Sequence, residues 1–106
     1  MSEHALTIHQ GETFTRTLTF ADGGLTGASA QLQVRRFYNS STAVVDIDTD
    51  DGIEITSDTT MTLTIDADTT AAMTGPGVYD LVITYVDGTK EIALHGPVRL
   101  VPQVTR

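Results

Sequence analysis

A chain of 106 residues is long enough for one hydrophobic core and too short for two. Its formal charge of -8 repels phosphate, which argues against nucleic acid as a partner, and its lack of cysteine excludes disulfides and thiolate metal sites. With 40% hydrophobic residues the composition is that of a folded domain, and no apolar run approaches the length of a membrane span.

The N-terminal stretch MSEHALTIHQ has neither a basic n-region nor an apolar h-region, so no signal peptide is expected. Leu6 and Ile8 alternate with polar residues before a turn at Gln10-Gly11. Residues 13–20, TFTRTLTF, then place Thr13, Thr15, Thr17 and Thr19 on one face and Phe14, Arg16, Leu18 and Phe20 on the other. Successive side chains of a strand point to opposite faces, so this is a threonine-covered outer face and, apart from Arg16, a core face. The cluster Ala21-Asp22-Gly23-Gly24 marks a turn.

The next strand sets Ala28, Ala30, Leu32 and Val34 against Ser29, Gln31, Gln33 and Arg35. After a polar turn over residues 39–42, Val44, Val45 and Ile47 predict a short strand entering an acidic loop. Ile53 and Ile55 follow, then a turn at 57–60, then the alternating Met61, Leu63 and Ile65. One short helical turn is expected near 67–73, capped by Asp66 or Asp68 and ended by Gly75-Pro76-Gly77. Tyr79, Leu81, Ile83 and Tyr85 alternate with Asp80, Val82, Thr84 and Val86, the pattern of a central strand with both faces partly covered. Asp87-Gly88 signals a hairpin, Ile92 and Leu94 the return strand, and Gly96-Pro97 a break before a final strand from Val98 to Val104. Pro102 in that strand argues for an edge position. About eight short strands with regular turns predict a single all-β sandwich or barrel, 1–106.

Four clusters bear on chemistry. Asp46, Asp48 and Asp50 have the alternate spacing of a calcium loop, but Asp51 stands where the glycine belongs and Ser57 where the closing glutamate belongs, so a solvated loop is the expected reading. His4, His9 and His95 would need a further ligand to hold zinc. No serine lies in a nucleophile elbow, and no glycine-rich phosphate loop is present, so no enzyme and no cofactor are expected. With this net charge, Arg35, Arg36, Phe37 and Tyr38 read less as a nucleic-acid patch than as a strand end whose arginines pair with nearby carboxylates, or alternatively as an interface anchor, since arginine and tyrosine are frequent binding anchors. The threonine faces are too irregular beyond one strand for ice binding, and prolines are too few for a glycosylated stalk.

The segments GETFTRTLTF, LTGASAQLQVRR, DGIEIT, MTLTIDADTTAAM, GVYDLVITYVDGT and HGPVRLVPQVTR occur in that order. In order and spacing they resemble a widespread group of small tailed-phage virion proteins, and more loosely the immunoglobulin-like N-terminal domain of phage baseplate upper proteins. The resemblance covers almost the whole chain, departing at the short loop Ala21 to Leu25. It implies an immunoglobulin-like antiparallel β-sandwich of about 7–8 strands. It also implies a non-enzymatic adaptor or attachment protein of the tail, baseplate or tail-fibre region, made in the host bacterial cytoplasm and assembled into the virion in multiple symmetric copies. Its partners would be other phage structural proteins, with no nucleic acid and no membrane. Terminal segments 1–10 and 98–106 then become possible docking arms, with Leu6, Ile8, Val98, Leu100 and Val104 as contacts. A capsid decoration (cement) protein and a calcium-dependent carbohydrate-binding module are the alternatives; the chain has no Trp and only three Tyr for the latter.

Overall fold

Alternation of apolar and polar side chains writes two sheets, and the apolar rows face each other between them. The computed structural model describes residues 2–105. They form β1 (Ser2–Glu3), β2 (Leu6–His9), β3 (Phe14–Thr19), β4 (Ser29–Arg35), β5 (Val45–Asp48), β6 (Ile53–Ile55), β7 (Thr60–Ile65), α1 (Ala67–Ala72), β8 (Gly77–Thr84) and β9 (Lys90–Val101). The larger sheet runs β1-β9-β8-β4-β5, with β2 continuing along β9 beyond β1. The smaller sheet runs β3-β7-β6. Ala30, Leu32, Val34, Tyr79, Leu81 and Ile83 of the larger sheet close over Phe14, Met61, Leu63 and Ile65 of the smaller one.

The single helical turn forms where expected. Asp66 is its cap, its carboxylate accepting from the Thr69 N–H at 2.8 Å. Six residues are too few to hold a helix on their own. Buried Thr70 fixes it instead: its hydroxyl donates to the Glu12 carbonyl at 2.8 Å and accepts from the Gly11 N–H at 3.0 Å. Met73 then turns extended and enters the core.

Three expectations at the termini are corrected. Gly96-Pro97 does not break the last strand, which runs unbroken from Lys90 to Val101. At this dipeptide the neighbouring chain passes from β1 to β2, and the His4 backbone comes so close that a Cβ on Gly96 would lie 2.6 Å from the His4 carbonyl oxygen. Pro102 does not mark an edge strand: β9 lies between β8 and the β1/β2 chain and ends at Val101, before the proline. Third, β2 and the end of β9 pair with each other in parallel, which turns Leu6, Ile8 and Val98 into the core at 0–1% exposure. These three residues are structural, not interface contacts, because the sheet's pleat aims them at the smaller sheet. Of the proposed arms, Met1 and Arg106 lie outside the described residues.

The return strand carries a further irregularity. Leu81 pairs with Leu94, but Val82 pairs with Ile92, leaving Ala93 without a partner. This bulge reverses the phase of the strand, so Ala93 turns inward and Ile92 outward.

Candidate functional site

Two adjoining features stand out on the larger sheet. The first is the loop between β4 and β5. Arg35 at the end of β4 turns its guanidinium onto the Ser40 carbonyl (2.9 Å) and the Gln33 side-chain oxygen (2.8 Å). The Phe37 N–H donates to the Ser40 hydroxyl (3.1 Å), and the Ser40 N–H donates back to the Phe37 carbonyl (3.0 Å). A braced turn therefore holds Phe37 and Tyr38 at its tip, 63% and 88% exposed. Arg36 reaches across to the Thr74 hydroxyl at 3.5 Å, beside the loop that follows α1. Large aromatic side chains held in water by a fixed turn are the raw material of binding anchors.

The second feature is a groove of about 680 Å³ on the outer face of the same sheet. Cross-strand registry builds it. Arg35, Val78 and Pro97 lie in one row across β4, β8 and β9; Gln33, Asp80 and His95 lie in the next; Gln31, Val82 and Ile92 follow. Val78, Pro97 and the outward-turned Ile92 form an apolar floor, Tyr38 stands at the loop end, and Glu3 of β1 borders the other side.

Of the interface residues expected from the sequence, Arg35, Arg36, Phe37 and Tyr38 are thus gathered at one tip. Leu100 is half-buried against the core and Val104, beyond β9, is 89% exposed. From the sequence, Val78, Asp80, Ile92 and Pro97 carry no site expectation, and His95 carries one only as a zinc candidate. A signal was present in β8, where Val78 and Val82 put apolar groups on the face opposite Tyr79, Leu81 and Ile83. Ile92 had none, since its outward aim depends on the bulge.

Two of the three acidic candidates, Asp46 and Asp48, take structural roles, and Asp50 contributes its backbone N–H. Asp46 accepts from the Gln31 and Gln33 amides at 2.9 and 3.1 Å, on the outer face of the sheet. Asp48 accepts from the Asp50 N–H at 2.9 Å and thereby shapes the turn into β6. Among the described residues, no three His, Asp or Glu side chains are grouped to hold a metal. His4 and His95 do become neighbours, but through the backbone, the His4 N–H donating to the His95 carbonyl at 2.8 Å. The His4 ring instead sits 3.2 Å from the Arg16 guanidinium, which also lies 5.7 Å from the Phe14 ring centre. That contact explains the arginine in the core-facing row: it sits half-buried at the rim of the smaller sheet, on its edge strand.

At the opposite end of the sandwich, Asp58 accepts from the Gly24 and Thr26 N–H groups at 3.1 and 3.2 Å, which holds its carboxyl below the usual range. The Tyr85 hydroxyl donates to the Glu91 carboxylate at 2.7 Å, and that bond pushes its pKa up to about 12.

The fold has a counterpart among solved structures. The second immunoglobulin domain of the mouse polymeric immunoglobulin receptor is similar to this chain at 17% identity, with a TM-score of 0.52, over 98% of this chain and 99% of that one. The chain has an immunoglobulin-like fold. At this identity the likeness concerns the fold alone. No family model matches the chain, and no curated protein matches it.

Proposed function

We propose that this chain is a non-enzymatic structural component of a tailed-bacteriophage virion, an adaptor or attachment protein of the tail, baseplate or tail-fibre region that works through protein–protein contacts. The observation that carries the interaction reading is the braced tip presenting Phe37 and Tyr38 to solvent beside Arg36. The placement in a virion rests on the ordered segments from Gly11 to Arg106 that resemble small tailed-phage proteins. An immunoglobulin-like sandwich suits the task, since its rigid sheets hold loops and faces at fixed positions for neighbouring proteins to bind. In a symmetric assembly, several modest contacts add up to firm attachment.

The test is the copy number in purified phage particles, measured by quantitative mass spectrometry against the major capsid protein. A few to a few tens of copies support the tail adaptor. Hundreds move the protein to the capsid surface as a decoration protein, and its absence from particles overturns the virion reading. Phe37→Ala/Tyr38→Ala is expected to fold normally and to be lost from particles.

A further inference from the structure

We propose that the groove on the outer face of the larger sheet receives a partner segment in which a lysine or arginine is flanked by aliphatic side chains. This deepens the adaptor reading by naming the chemistry of one partner. The groove, at about 680 Å³, is of a size that encloses several side chains. Its floor of Val78, Ile92 and Pro97 offers apolar area, and the bulge at Ala93 is what turns Ile92, 42% exposed, onto it. Bulges that re-aim a side chain concentrate at working surfaces.

Charge decides the occupant. Asp80 sits half-buried in the middle row, between Gln33 and His95, and accepts no hydrogen bond from the described residues. Glu3 adds a second carboxylate at the edge, and Asp46 lies at the other end of the same cross-strand row. The guanidinium that lines the groove, that of Arg35, is held by Ser40 and Gln33 and so does not turn to Asp80. An open carboxylate above an apolar floor favours a cation whose aliphatic stem lies on that floor. The net charge of -8 works against an acidic partner and against a second copy of this chain.

The test is a titration of isotope-labelled protein, followed by amide NMR shifts, with three acetylated probe peptides: Val-Lys-Leu-Arg-Val, Val-Glu-Leu-Glu-Val and Ser-Lys-Ser-Arg-Ser. The first is expected to shift Val78, Asp80, Ile92 and His95, and to bind more tightly than either of the others. Asp80→Asn, with an otherwise unchanged spectrum, is expected to weaken it by about tenfold. Ile92→Thr tests the floor in the same way without touching charge. Equal binding of the acidic peptide, shifts mapping elsewhere, or indifference to both variants overturns the proposal. Concentration-dependent dimerisation through the groove in sedimentation also overturns it, in favour of a second copy. No peptide binding by a protein still counted at tens of copies per particle removes the groove proposal and leaves the adaptor reading intact.

Discussion

Thr70→Val isolates the hydroxyl bonds that help dock the helical turn. Thr70 is fully buried, and valine fills its shape while removing the hydroxyl. The wild-type oxygen accepts from the Gly11 N–H at 3.0 Å and donates to the Glu12 carbonyl at 2.8 Å, with the Ala67 carbonyl at 3.1 Å as a second acceptor. Both long-range partners belong to the turn joining β2 to β3, so this hydroxyl ties α1 to the segment that carries the chain between sheets, alongside the Gln10 amide, which donates to the Met73 carbonyl at 2.9 Å. Removing it orphans a donor and an acceptor, each worth about 1–3 kcal/mol when water is excluded. Gly11 is half-buried and Glu12 exposed, so water recovers part of this, and the expected loss is about 2 kcal/mol. Thr70→Ser keeps both bonds and loses one methyl, about 1 kcal/mol. Urea unfolding followed by circular dichroism should therefore rank wild type above the serine variant and serine above valine. A valine variant within about 0.5 kcal/mol of wild type, or more stable than serine, would refute the reasoning.

Four further outcomes are expected. Leu81→Ala, at a site with no exposure, should cost about 2–5 kcal/mol, whereas Tyr38→Ala should leave unfolding unchanged within about 0.5 kcal/mol; the same denaturant assay reads both. Gly96→Ala should push the His4 backbone off β9 and cost about 1–3 kcal/mol, with faster hydrogen exchange at the Leu6 and Ile8 amides as its signature. Acid should destabilise the fold through Asp58, Asp66 and Asp87, whose carboxyls are lowered by bonds from Gly24, Thr69 and Thr89 respectively. A depressed folded-state pKa means that this stability is present above the ordinary value of 3.8 and lost as pH falls below it; Asp58→Asn should flatten that part of the unfolding profile. Tyr85 runs the other way: its neutral form is favoured by Glu91, so its contribution is complete below pH 10.0 and lost as pH rises toward about 12. Ultraviolet titration should find Tyr85 ionising late, alongside Tyr79, whose phenol burial also pushes up, and Glu91→Gln should bring only the Tyr85 phenol down.

Period-two alternation carried most of the architecture. Strands such as β3, β4 and β7 were legible because the buried face is written largely in Phe, Leu, Ile, Val or Met and the other face largely in Thr, Ser or Gln, and burial is a local consequence of that alternation. Asp66 as a helix cap and Asp87-Gly88 as a turn were equally local. The braced tip is half legible: the run Arg35 to Tyr38 stands out in the sequence as an arginine-aromatic cluster, but the clasp by Ser40 does not.

Long-range pairing decided the remainder. Whether Leu6, Ile8 and Val98 face a partner or a core depends on which strand lies beside them, and two segments about ninety residues apart met in parallel to bury all three. By local rules Gly96-Pro97 is a break, because proline lacks a donor and glycine weakens a strand. In the fold, the neighbouring chain changes from β1 to β2 at that point, and the glycine lets the His4 backbone approach. The groove has the same origin. Val78, Asp80, Ile92 and Pro97 are separate letters along the chain, and only the registry of β4, β8 and β9, shifted by one residue at Ala93, makes them a surface.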